Sequence, residues 1–393
     1  MQLLHSTNLS TLNTLQIGME WFPERAGGLN RVFFDCIQHL PQAGINARGL
    51  VVGSPNIERD TNRIVSSFAP PSDSLLQRWY KQRLLAKRIL LDQDYPLVVS
   101  HFALYTFPIL DILGDRPLVT HFQGPWALES LVEHGGAKTM GIRLRQGLEQ
   151  VCYNRTQKFI VLSQAFQNIL HQEYHIPRER IHIIPPGVEM QHFNPNISLQ
   201  QARTQLGWPQ DRPIILSVRR LAKRMGLENL IAAIDKIRYS YPDVLLMIAG
   251  KGYLADTLQK QIQELNLEDH VQLLGFMPDE DLPVAYRAAN FSVVPTVAYE
   301  GFGLIIIESL AAGTPVLGTP VDSIPEILSP LSQDCLFESA SSQHLAQGIQ
   351  EVLSGIRQLP NQQHCRDYVA ANYTWPVIAQ RIRSVYELAI TDS

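Results

Sequence analysis

The sequence predicts an α/β protein of two doubly wound domains, and three observations predict it. At 393 residues and 45% hydrophobic content, the chain exceeds what one core usually supports and leaves roughly 200 residues for each of two. Short, nearly continuous apolar segments recur along it between polar or helical stretches, the pattern of strands buried on both faces of a parallel sheet. Midway, Pro185-Pro186-Gly187-Val188, with Pro195 soon after, breaks that pattern and marks a boundary.

Taken in order, residues 1–14 are polar, lack the basic and apolar blocks of a secretion signal, and read as a loose extension. A first strand at 15–19 runs through Glu20-Trp21-Phe22-Pro23 to Gly27-Gly28 and an amphipathic helix at 29–40. Strand, glycine loop and helix form a phosphate cradle in outline, although a simple turn explains the glycines equally well and the spacing fits neither GxGxxG nor a P-loop. Further strands are expected at 47–52, 97–100, 118–121, 158–162 and 181–184. Sites in such sheets lie beyond the strand C-termini. His101 and His121 fall there, His121 just before Gly124-Pro125, with an ordinary hydrogen-bonded histidine as the alternative for each.

Residues 75–91 carry Arg78, Lys81, Arg83, Lys87 and Arg88 without an acid, interleaved with Leu76, Trp79, Tyr80, Leu84, Leu85 and Ile89. Such a helix either lies on an anionic membrane surface or turns one apolar stripe to its own core. Asp92-Gln93-Asp94 formally reads DxD, but its place between a helix and Tyr95-Pro96 reads as a turn. Beyond the boundary, strands at 214–218, 244–249, 271–274, 291–294 and 315–317 alternate with helical stretches and define a second doubly wound domain. The expected division is 15–190 and 191–372, with residues 373–393 forming a terminal helix.

The net charge of −4 offers nothing global to attract nucleic acid. Cys36, Cys152, Cys335 and Cys365 are scattered without a CxxC or Cys/His metal spacing, which fits reduced thiols in a cytoplasmic protein and argues against structural zinc. No run approaches the roughly 20 apolar residues that span a bilayer, so any membrane contact is expected to be peripheral.

Chemistry concentrates at Tyr299-Glu300-Gly301-Phe302-Gly303-Leu304 and the apolar helix that follows to Gly313. Glu300 falls in the turn beside the helix N-terminus, whose N–H groups suit a phosphate or sugar hydroxyls. Glu308 falls inside the apolar helix, where a carboxylate is costly to bury without a partner such as a vicinal diol. The alternatives are a solvated loop acid at Glu300 and an arginine pair at Glu308. Arg219-Arg220-Leu221-Ala222-Lys223-Arg224 supplies four cations at a strand end, suited to the charge of a departing diphosphate.

These features together resemble the retaining glycosyltransferases of family 4, of GT-B architecture, in which two Rossmann-like domains face each other across a cleft. The resemblance runs from the first glycine loop to the terminal helix, which in the family crosses back onto the first domain. It implies that Glu300 meets the donor sugar, Glu308 the nucleotide ribose, and Phe302, Gly303 and Leu304 the phosphate and sugar hydroxyls. Gly27 and Gly28 would face the diphosphate, His121 the reacting sugar, and Gly250 and Phe276 the nucleotide. For the diphosphate cations the match favours Arg220 and Arg224, with Arg219 and Lys223 in reserve, because Met225 stands where the family usually has Lys. Pro186 replaces a usual Asn, and Asp322-Ser323 replaces a usual Gly-Gly.

The implied activity is metal-free transfer of a hexose-type sugar from a nucleotide-diphosphate sugar, without cofactor, to a saccharide or lipid-linked acceptor held by the first domain. A role in cell-envelope or exported polysaccharide synthesis follows family habit. A GT-B nucleotide-sugar epimerase and a non-catalytic nucleotide-sugar binder stand as alternatives.

Overall fold

The computed structural model describes residues 11–22, 24–133 and 140–392. Its first sheet comprises β1 (Leu12–Glu20), β2 (Ile45–Val52), β3 (Val65–Ala69), β4 (Leu97–Ser100), β5 (Leu118–Phe122), β6 (Lys158–Val161) and β7 (Ile181–Ile183). Its second comprises β8 (Ile214–Val218), β9 (Leu245–Ala249), β10 (Val271–Gly275), β11 (Phe291–Val294) and β12 (Val316–Gly318). Every pairing within both sheets is parallel. The strands form because their side chains are buried on both faces: β4, β5, β9 and β11 are buried throughout.

The strand orders are β3-β2-β1-β4-β5-β6-β7 and β10-β9-β8-β11-β12. In each sheet the chain winds outward on one side, then returns to wind outward on the other. The reversals fall between β1 and β4 and between β8 and β11, and crevices open beyond the strand C-termini at such switch points. Two glycine-bearing loops leave those ends: one from β1 to the helix Gly28–His39, the other from β11 to the helix Leu304–Ala311.

Two expectations are corrected. Residues 1–10 lie outside the described residues, but Leu12, Asn13 and Thr14, expected in a loose extension, are paired in β1 with Ile45, Asn46 and Ala47. The strand β3 was not expected at all: Ser66 and Ser67 interrupt its apolar run, and as an edge strand it pairs with β2 alone.

The helix Trp375–Thr391 returns to the first sheet. Trp375, Ile378, Ala379, Ile382, Val385, Tyr386 and Ala389 recur at helical spacing and share one core with Val32, Phe33, Ile37, Val99 and Val119. Arg383 anchors it by donating to the Ala43 carbonyl at 2.7 Å, and Trp375 stacks on His39 with ring centroids 4.9 Å apart. All four cysteines are free and buried, and burial raises each thiol. Among the described residues no helix is long and apolar enough to cross a membrane.

Candidate active site

Arg219 follows β8 directly and Glu300 lies in the loop after β11, so the neighbouring strands of the second switch point deliver both. Arg219 donates to the Glu300 carboxylate and to Thr296 Oγ1, and Thr296 Oγ1 donates to Glu300 Oε2 at 2.9 Å. The Glu300 main chain is held as firmly: its N–H donates to Asp322 Oδ2 at 2.9 Å and its carbonyl accepts from Ser323 Oγ at 2.8 Å. The Asp322-Ser323 departure from the family pattern thus clamps the peptide units of Glu300. Arg224 donates to the Tyr299 carbonyl at 2.6 Å and lies 3.4 Å from Glu129 of the first domain. Burial pushes the Glu300 carboxyl up, but the charges of Arg219 and Arg224 and the bonds from Arg219 and Thr296 outweigh it, and the net shift is downward.

Strand parity decides between the adjacent arginines. Side chains two apart share a side of a strand; Ser217 donates to the Val293 carbonyl of β11, and Arg219 continues on that side into the crevice. Arg220 and Lys223 are exposed, whereas Arg224 is half-buried. The buried cation paired with Glu300 is therefore Arg219, while Arg220, expected with Arg224 at the diphosphate, stands exposed at the same strand end.

Gly303, in the left-handed region at φ 77°, is the N-cap of the helix Leu304–Ala311. Phe302 is buried in the second core, with Leu304 packed partly against it. Glu308 is buried within that helix and accepts from Tyr286 Oη at 3.0 Å. Burial raises its carboxyl, and the nearby charge of Arg31 and the Tyr286 bond only partly oppose this. Arg31 comes from the first domain, on the helix Gly28–His39 that Gly27 caps. It pairs with Asp35 at 3.2 Å and reaches across to Asp279 after β10. Burial is also the largest influence on Asp35, whose carboxyl is pushed up to about 7. A Cβ at Gly28 would meet nothing within 4 Å, so the start of that helix is open.

The ends of β9 and β10 form another wall. Gly250 donates to the Gly275 carbonyl at 2.7 Å, and a Cβ at Gly250 would run into the Arg219 carbonyl oxygen. Phe276 is exposed beside it, with Lys251 Nζ 5.0 Å from its ring centroid.

His121 sits behind the crevice surface. It is buried, its Nε2 lies 2.8 Å from Tyr386 Oη of the returning helix, and its ring stacks on His101 at 4.5 Å between centroids. Burial lowers it to about 3. His101 contacts Gln16 Oε1 through Nε2 at 2.8 Å and Gln123 Nε2 through Nδ1 at 3.3 Å, which a neutral ring satisfies as donor to the first and acceptor from the second. Gln123, just past β5, reaches the opposite domain: a Cβ built on Gly301 would lie 3.5 Å from the Gln123 carbonyl oxygen. His121 is thus bonded to Tyr386 and stacked on His101, and the Gln123 carbonyl lies beside the Gly301 turn of the second domain.

Further polar contacts span the crevice. Glu326 accepts from the main-chain N–H groups of Gln164 and Ala165, at 2.9 and 3.0 Å, capping the helix Gln164–Glu173 of the first domain. Arg31, Gln123, Thr296, Asp279, Tyr286 and Glu326 escaped the sequence reading. Position beyond a strand C-terminus is the signal that could have found Gln123 and Thr296, whereas nothing local distinguishes the others. Among the described residues no His, Cys, Asp and Glu side chains cluster so as to hold a metal ion.

Two doubly wound domains with their switch points facing across a polar crevice are the architecture of the GT-B glycosyltransferases. The model described as Glycosyltransferase Family 4 matches residues 26–192, and the one described as Glycosyl transferases group 1 matches residues 199–371. The chain belongs to the family 4 glycosyltransferases. It is 25% identical to a D-inositol 3-phosphate glycosyltransferase of Corynebacterium aurimucosum over 93% of this chain and 92% of that protein. It is 28% identical to an uncharacterized glycosyltransferase of Methanocaldococcus jannaschii over 65% of this chain and 66% of that one. Among solved structures, sucrose-phosphate synthase from Thermosynechococcus elongatus superposes with a TM-score of 0.77 at 23% identity, covering 97% of this chain and 100% of its own. Anabaena HepE in complex with UDP and glucose superposes at 0.76 and 20% identity, covering 96% and 100%. At these identities the structural likeness shows the fold.

Proposed function

We propose that the protein is a retaining, metal-independent glycosyltransferase that moves a hexose-type sugar from a nucleotide-diphosphate sugar to a saccharide or lipid-linked acceptor, in cell-envelope or exported polysaccharide synthesis. The observation that carries the reading is the pair of buried carboxylates on one βα unit. Glu300 is fixed by Arg219, Asp322 and Ser323 beside a helix N-terminus, and Glu308 is held inside the same helix by Tyr286. A ribose diol donating to Glu308 and sugar hydroxyls donating to Glu300 suit these two acceptors. Arg220 and Arg224, with the N–H groups at Phe302 to Leu304, supply positive potential for the diphosphate, and the open start of the helix Gly28–His39 adds to it from the first domain. Phe276 and Gly250 line the wall where a base would lie. The HepE complex with UDP and glucose supports a donor of this class, and the D-inositol 3-phosphate named for the corynebacterial relative supports a hydroxyl-rich acceptor.

The test is a thermal-shift screen against UDP, GDP, ADP and their sugars, since a ligand that binds only the native state raises the melting temperature. The expected result is stabilisation by one base series in the wild type and its loss in Glu308→Ala, with product formation abolished in Glu300→Ala and unchanged by a chelator. No stabilisation by any donor would overturn the donor assignment, and a chelator-sensitive reaction would overturn the metal-free one.

A further inference from the structure

The helix Leu75–Asp92 is apolar on two sides. Trp79, Leu85, Ala86, Ile89 and Leu90 face the core of the first domain. On the opposite side Leu76, Tyr80, Leu84 and Leu91 lie in solvent, Leu76 at 73% and Leu91 at 77% exposure. Their spacing of four, four and seven residues aligns them in a single stripe. Lys87 falls within the stripe, and Arg88 and Lys81 run along one edge. The sequence allowed one apolar stripe turned either inward or outward; the structure shows both.

A second helix of the same domain repeats the arrangement. In Met140–Arg155, Ile142, Cys152 and Tyr153 are buried, whereas Met140 at 81%, Leu144 at 73% and Val151 are exposed along one line. Both helices pack against the short helix Phe107–Ile112. The connections β3 to β4, β4 to β5 and β5 to β6 all advance in one direction across the sheet, so right-handed crossovers put these helices on one face. The returning helix Trp375–Thr391 packs with the helix Gly28–His39, whose crossover advances the other way, on the opposite face. The two stripes therefore look outward together.

Charge agrees with the shape. The helix Leu75–Asp92 has five cations and one acid, and Met140–Arg155 has three cations and one acid, the buried Glu149, in a chain whose net charge is −4. Lys81, Arg88 and Arg83 are partly offset by Asp73 at 2.7 Å, Asp92 at 3.6 Å and Asp111, but cations still outnumber acids along the two helices. Single exposed apolar residues are ordinary on soluble proteins, but neighbouring stripes of them rimmed with cations mark an interaction surface.

We propose that this surface docks the protein on an anionic lipid bilayer. The two helices lie in the plane of the interface, with Leu76, Tyr80, Leu84, Leu91, Met140 and Leu144 at the headgroup and acyl boundary and Lys81, Lys87 and Arg88 at lipid phosphates. Docking through this surface is independent of the donor and acceptor of the cleft.

The experiment is co-sedimentation of the full chain with phosphatidylcholine vesicles and with vesicles containing phosphatidylglycerol, at low and high salt. Three variants run in parallel: Leu76→Ser/Tyr80→Ser/Leu84→Ser, Met140→Ser/Leu144→Ser and Lys87→Glu/Arg88→Glu. These side chains are exposed, so unchanged melting curves confirm that each variant folds. The expected result is binding to the anionic vesicles that high salt weakens. The apolar variants should lose about tenfold or more in partitioning, and the charge variant roughly fivefold or more for each cation reversed. Absence of binding, or binding that the variants leave unchanged, overturns the proposal. A concentration-dependent dimer in analytical ultracentrifugation that the apolar variants dissolve also overturns it, and assigns the surface to a second copy of the chain.

Discussion

Arg219 and Glu300 form a buried ion pair that ties the end of β8 to the loop after β11, with Thr296 bonded to both partners. A buried pair of this kind contributes little against an apolar replacement, but removal of one partner strands the other charge. Arg219→Ala is therefore expected to cost about 3–5 kcal/mol in denaturant unfolding, whereas replacement of both partners by apolar residues recovers much of that loss. Arg220→Ala, at an exposed position, should stay within about 0.5 kcal/mol of wild type. Equal losses for the two single variants would contradict the burial that distinguishes them.

The stacked His101 and His121 make the first domain sensitive to acid. Burial depresses both rings, His121 to about 3, and in His101 the charge of His121 adds to the effect. Because the folded values lie below the ordinary imidazole value of about 6.5, their neutral forms contribute stability that is complete above that pH and is lost as pH falls toward the folded values. Each ring gives a slope of up to about 1.4 kcal/mol per pH unit. Melting temperatures measured from neutral pH down toward the carboxylate range should fall steadily, and His121→Gln should flatten the profile. A profile unchanged by His121→Gln would remove this histidine from the acid response.

Gln123 and His121 make separable contributions. His121 bonds to Tyr386 and supports the strand end, so His121→Gln and Tyr386→Phe should reduce kcat by similar modest factors. Gln123→Ala removes a side chain that His101 orients at the crevice and is expected to reduce kcat roughly 10- to 100-fold, as loss of positioning does, with little change in melting. A large loss in His121→Gln beside a silent Tyr386→Phe would instead place His121 against the reacting sugar.

What the sequence made legible follows from where the information sits. Strands such as Leu245–Ala249 declare themselves because every side chain is apolar and buried, whereas Val65–Ala69 hides behind Ser66 and Ser67. Glu300 and Glu308 were readable because one glycine-punctuated βα segment holds both. Their pairings were not, because Arg219, noticed only as a reserve cation, and Tyr286 and Asp322 come from other parts of the second domain and Arg31 from the first. Only strand parity separates Arg219 from Arg220, and only tertiary packing shows that the helix Leu75–Asp92 has an apolar face to spare.

Gly301 makes the approach of the two domains possible. A Cβ there would lie 2.6 Å from a ring carbon of Phe166 and 3.5 Å from the Gln123 carbonyl oxygen, both on the first domain. Its φ lies outside the positive region, so a substitution acts through the space it fills and leaves the turn itself unstrained. Gly301→Val should hold the crevice ajar: the radius of gyration in solution scattering rises, melting of the second domain changes by about 1 kcal/mol or less, and turnover falls about tenfold or more because groups on opposite walls no longer meet. Glu326→Ala removes the acceptor that caps the helix Gln164–Glu173 from the other domain and should act in the same direction. Unchanged scattering together with full turnover in Gly301→Val would mean that this close approach is not needed for the reaction.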